Sequence, residues 1–152
     1  MTVAERMQSL GISLPPVFAP AANYRGCVID SGLVYVSGHG PIAGADMMRG
    51  KVGSDLTAEQ GREAARMTAL SMLATLQAEL GDLDRIQQIV KIFGMVNVAP
   101  GFNQTPAVID GCSDLLVEIF GDAGKHARSA IGVAELPFGI AVEIEMIARL
   151  KP

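Results

Sequence analysis

The sequence is short of the residues that most often announce a function. It has no tryptophan, two cysteines (Cys27 and Cys112), two histidines (His39 and His126), and charge on only 18% of its 152 residues. Ordinary soluble domains carry about 25% charged residues. So few Cys and His residues, never clustered, leave no metal-ligand spacing. The apolar neighbours of both cysteines, Val28 and Ile29 beside one and Leu115 and Leu116 beside the other, point to two buried free thiols rather than a bridge. No two basic residues are adjacent and the net charge is −4. Nucleic-acid binding draws most of its affinity from neutralising phosphates, so it is disfavoured.

Long apolar runs are also absent, although 49% of residues are apolar and mean hydropathy is +0.33. Of the two longest uncharged stretches, Ile92 to Ile109 is broken by Pro100, Gly101, Asn103 and Pro106, and Met7 to Tyr24 by Pro15, Pro16 and Pro20. A spanning helix needs about 20 continuous apolar residues, so no membrane crossing is expected. The leading MTVAERMQSLG places Glu5 and Arg6 where a signal peptide has its apolar core, so a cytoplasmic location is expected.

What is present reads as one domain over residues 1–152, with an N-terminal extension over 1–16 and a core over 17–150. A short leading helix is followed by the proline-rich LPPVFAPAA, which favours extended backbone. Gly26 to Ile29 and Leu33 to Ser37 form a β-hairpin pattern around Asp30, Ser31 and Gly32. Thr57 to Leu80 is the clearest helix: Thr57 and Gln60 have capping-box spacing, Gly81 marks the stop, and Ala65, Ala69, Met72 and Leu76 recur on one face. Ile89 to Val98 follows as a strand, with Val90, Ile92, Val96 and Val98 on one face and Ile89, Phe93 and Met95 on the other. A second helix starts at Thr105 with Pro106 in its first turn and runs to Gly121.

Arg128 to Val133 and Ile140 to Leu150 complete the pattern as strands. The order ββαβαββ gives an α+β layer with two helices packed on one face of the sheet. Alternation in the last strand turns Val142, Ile144 and Met146 to the helices and Glu143 and Glu145 to the open side. The same reasoning turns Ser129, Ile131 and Val133 inward, and Arg128, Ala130 and Gly132 outward. An open face with an arginine, two glutamates, Phe93 and Met95 suits a subunit interface with polar pockets better than bulk water.

Two segments resemble a known family. HARSAIGVAELPFGIAVEIEMIA (His126 to Ala148) and APAANYRGCVIDSGLVYVSGHGP (Ala19 to Pro41) are similar to the C-terminal and N-terminal signatures of the RidA/YjgF family, the reactive-intermediate enamine/imine deaminases, some of which are called endoribonuclease L-PSP. The resemblance covers about residues 17 to 150. It implies a chorismate-mutase-like fold, a homotrimer with ligand clefts between subunits, and no cofactor. By the same resemblance Arg128 holds the carboxylate of a 2-imino or 2-enamino acid, and Glu143 positions or activates the attacking water. Tyr24 lines the ligand, the backbone at Ser37 and Gly38 completes the pocket, and His39 and Phe93 are further lining candidates. A guanidinium suits the first task because it offers a planar fork to a carboxylate and stays charged.

The sequence departs from the family pattern at several points. Ala130 stands where many deaminases of the family have cysteine. Asp110, in VIDG, stands where related sequences have asparagine, and a carboxylate facing the cleft would repel an anionic ligand. The chain is also longer than the compact members. These departures leave a binding trimer for a small carboxylate metabolite as the alternative to catalysis, with RNA cleavage the least favoured reading. Each site residue has a plain structural role as its competitor: Arg128 in a cross-strand pair with Glu143 or Glu145, Tyr24 in packing, and His39 as a solvated loop residue. His126 is assigned no catalytic task. Ser37 and Ser129 have no paired base, and SGHGP opens no helix as a phosphate loop would.

Overall fold

The computed structural model describes residues 1–152. A five-stranded sheet is built from β1 (Cys27–Asp30), β2 (Leu33–His39), β5 (Ile86–Asn97), β6 (Ala127–Val133) and β7 (Val142–Leu150), in the spatial order β1-β2-β7-β5-β6. Every neighbouring pair is antiparallel except β5 and β6, so the sheet is mixed. Helices α2 (Ala58–Leu80) and α3 (Thr105–Phe120) cover one face. A small hairpin, β3 (Ile42–Ala43) with β4 (Asp46–Met47), lies outside the sheet. Its two-residue strands are too short to carry a period, and the sequence pattern missed them. The last strand opens at Val142 rather than Ile140.

Local chemistry explains the boundaries. Thr57 caps α2 by accepting from the Gln60 N–H at 3.1 Å while Gln60 Oε1 accepts from the Thr57 N–H at 2.8 Å. Gly81 stops the helix in the left-handed region at φ 77°. The leading helix α1 (Val3–Ser9) is tied to the body, because Met7 joins the core and the Val3 N–H donates to Asp84 at 3.0 Å. Between α2 and α3 the backbones meet at Gly111. A Cβ there would sit 2.0 Å from the Arg62 carbonyl oxygen.

The core is a cluster of 29 buried residues under the helices, including Met72, Leu76, Ile92, Leu116 and Ile144. Both cysteines are free and buried within it. No helix is long and apolar enough to cross a membrane.

Two of the expected facings are corrected. A register irregularity between Ile89 and Lys91 brings both Ile89 and Ile92 to the helix side, where both are fully buried. In β6 the expected parity is reversed. The parallel register pairs Arg128 with Ile92 and Ile131 with Met95, so Arg128, Ala130 and Gly132 face the helices while Ser129 and Ile131 face the open side. Ile131 is accordingly 42% exposed.

Candidate functional site

The open face of the sheet is apolar with charges set into it. Val28, Tyr35 and Ile131 are exposed there, and a cavity of about 610 Å³ is lined by Tyr35, Ser37, Phe93 and Ile147 together with Lys91 and Glu145. The registers Met95 to Glu143 and Phe93 to Glu145 place both glutamates on this face, as alternation in β7 requires. Glu143 is half-buried, and its carboxylate makes no hydrogen bond or ion pair within the chain. It lies over Gly38, so closely that a Cβ on that glycine would be 2.8 Å from Oε2. Burial, and then the charge of Glu145, raise its carboxyl above the ordinary range.

Ser37 shares that face, and its hydroxyl donates to the Arg25 carbonyl at 2.6 Å. Tyr24 lines a separate hollow with Arg25, Thr75 and Glu79. His39 is neither a solvated loop residue nor part of the open face. It is 3% exposed, with Nδ1 donating to the Ser37 carbonyl at 2.6 Å and Nε2 meeting Thr75 Oγ1 of α2 at 2.8 Å. Burial lowers its pKa, which keeps the ring neutral and fits a Thr75 hydroxyl donating to Nε2.

The second group of expected residues lies across the sheet. Arg128 does not pair with Glu143 or Glu145. Its Nη1 donates to Asp110 Oδ1 at 2.8 Å and to Ser113 Oγ at 3.0 Å, and Nη2 donates to the Pro106 carbonyl at 3.3 Å, all three acceptors on α3. The reversed parity of β6 is the cause, since it aims the guanidinium at that helix. Ala130 lies beside it, and its carbonyl accepts from Thr105 Oγ1 at 3.0 Å.

His126, which the sequence left without a task, extends this network. Its Nδ1 donates to the Gly124 carbonyl at 2.7 Å, so Nε2 accepts from the Ser113 hydroxyl at 2.9 Å. Burial chiefly, aided by the charge of Arg128, lowers the His126 pKa and keeps the ring neutral. Cys112 is on the same helix but fully buried, with its thiol pushed up to about 12, so it offers no nucleophile. No group of three or more His, Cys, Asp or Glu side chains is placed to hold a metal ion.

The expected site therefore divides in two. Glu143, Ser37, Gly38 and Phe93 lie toward the open face, and Arg128, Asp110 and Ala130 lie against α3 at the β6 edge.

Residues 4–150 match a family model described as YjgF/chorismate mutase-like, putative endoribonuclease. Protein TCP17 of Trypanosoma cruzi is 44% identical over 153 residues, covering 98% of this chain and 94% of that protein. Among solved structures, a putative endoribonuclease from Shewanella oneidensis MR-1 is 33% identical with a TM-score of 0.95, covering 99% of this chain and all of the other. Atu1372 from Agrobacterium tumefaciens, a protein of unknown function, is 36% identical with a TM-score of 0.91, covering 98% and 92%.

Proposed function

Because this chain belongs to the YjgF/chorismate mutase-like family, we propose that it hydrolyses small reactive 2-imino or 2-enamino acids to 2-oxo acids and ammonia, in a cleft between copies of the chain in a homotrimer. The observation that carries the reading is Glu143. A half-buried carboxylate with no partner, on an apolar face, costs stability, and its raised pKa makes it a stronger proton acceptor than an ordinary carboxylate. The exposed Val28, Tyr35 and Ile131 on the same face support burial of that face against another copy.

In the proposed reaction Arg128 holds the substrate carboxylate from one copy, and Glu143 of the neighbouring copy orients water against the C=N carbon. Glu143 takes a proton from that water as the C–O bond forms and returns it to nitrogen. As the C–N bond of the resulting carbinolamine breaks with its electron pair going to nitrogen, the same carboxylate takes the remaining hydroxyl proton and passes it to the departing ammonia. Positioning and proton transfer suffice, because imines of this kind already hydrolyse in water. The test is ammonia release from imines generated by an amino-acid oxidase. Acceleration by the wild type that is lost in Arg128→Ala supports the reading, and no acceleration sinks it.

The contact of Arg128 with Asp110 favours a second reading, a non-catalytic trimer that binds a carboxylate metabolite. That reading expects Arg128-dependent thermal stabilisation by 2-oxo acids without turnover. The net charge of −4 weighs against RNA cleavage, the activity in the family's description.

A further inference from the structure

Arg128 and Asp110 present a cation and an anion 2.8 Å apart, with side chains 24% and 42% exposed, so a ligand in solvent can reach both. Neither group is fully used. Nη1 is occupied by Asp110 and Ser113, whereas Nη2 makes one contact and Nε makes no hydrogen bond within the chain. A guanidinium has five N–H donors in a rigid fork, so its Nε edge remains free for a carboxylate. On the acid, Oδ1 meets Arg128 and Oδ2 accepts nothing from the chain. The nearby basic group on α2, Arg62, is held by Asp114 at 2.6 Å and is not released to Asp110.

Charge balance then decides what fits. The pair is neutral as it stands. A simple carboxylate anion at Arg128 leaves a surplus negative charge beside Asp110, and Glu143 with Glu145 from a facing copy would add to it. A ligand with its anion and its cation on adjacent carbons satisfies both members of the pair and keeps the balance at zero.

We propose that Asp110 determines specificity by selecting zwitterionic 2-imino acids over plain carboxylate anions, with the carboxylate on the Nε edge of Arg128 and the iminium N–H donating to Oδ2 of Asp110. The inference rests on the reading of Arg128 as the carboxylate holder. It fits the chemistry, since R–C(=NH₂⁺)–COO⁻ plus water gives R–CO–COO⁻ plus NH₄⁺, and the protonated C=N is the form that water attacks. The C=N bond breaks, its electron pair leaves with nitrogen, and the product keeps only the anion. Asp110 then disfavours the product and promotes its release.

Calorimetric titration with stable probes tests this: 2-aminobutanoate as the zwitterion, and butanoate and 2-oxobutanoate as the anions. The wild type is expected to bind the zwitterion about tenfold more tightly than either anion, the scale of one charge-assisted hydrogen bond. Asp110→Asn is expected to erase or invert that preference, and Asp110→Glu to retain it. An unchanged preference in Asp110→Asn, or equal wild-type affinities, overturns the role of Asp110; if Arg128→Ala still abolishes binding, the reading of Arg128 survives. Binding that ignores Arg128→Ala, or no binding of any probe, overturns both.

Discussion

Arg128 and Glu143 project from one sheet to opposite faces. Arg128 reaches Asp110 on α3 from the helix side, while Glu143 lies over Gly38 on the open side. The proposed reaction therefore requires that Arg128 and Glu143 come from two different copies of the chain.

Gly38 keeps the Glu143 carboxylate where it is. A methyl group there would stand 2.8 Å from Oε2, so Gly38→Ala must push the carboxylate aside. Turnover is expected to fall by about ten- to a hundredfold, as misplacement of a catalytic group by an ångström does. Stability should change by less than about 1 kcal/mol, because the far end of a flexible side chain can yield. Unchanged turnover in steady-state kinetics would detach Glu143 from the chemistry.

The raised pKa of Glu143 has a cost with a definite sign. The folded state binds that proton more tightly than the unfolded chain, so the group favours folding below the ordinary carboxylate range and loses that contribution as pH rises through the raised value. Glu143→Gln, uncharged throughout, is expected to have the higher Tm at pH 8, with the gap closing in acid. In the wild type, kcat/KM should fall on the acid side at a pH above that of an ordinary carboxylate. Calorimetry and pH-rate profiles check the two limbs separately.

Gly111 sets the approach of α2 and α3. A Cβ 2.0 Å from a backbone oxygen cannot be relieved by a rotamer change, so the helices must part. Gly111→Ala is expected to destabilise the fold by about 3 kcal/mol, the upper end of overpacking costs, in urea unfolding.

The thiols should be silent in the native protein. Burial raises the pKa of both Cys27 and Cys112, the latter to about 12. A chromogenic disulfide reagent at pH 8 is expected to label neither in native buffer and both after denaturation. Rapid native labelling of Cys112 would mean that the packing of α3 is looser than the structure has it.

Helix α2 was legible because its signals are local: Thr57, Gln60 and Gly81 act within a turn of the residues they cap. The facing of Glu143 was legible because Val142, Ile144 and Met146 alternate with it and leave one choice of face. β6 offered no such constraint. Its two larger apolar residues, Ile131 and Val133, suggested an inward facing, but the register with β5 puts Ile131 opposite Met95 on the open side. That single reversal also hid the partner of Arg128, since Asp110 is on a helix 18 residues away and only tertiary packing brings them together. His39 was misplaced for a similar reason: its partner Thr75 comes from α2.

Subunit complementation tests the central claim most directly. Arg128→Ala and Glu143→Gln are each expected to be inactive alone. Refolded together at equal ratio, they should regain about a quarter of wild-type ammonia release, the fraction of sites that draw an intact arginine from one copy and an intact glutamate from its neighbour. Mixed protein that assembles but stays inactive would contradict a cleft shared between chains.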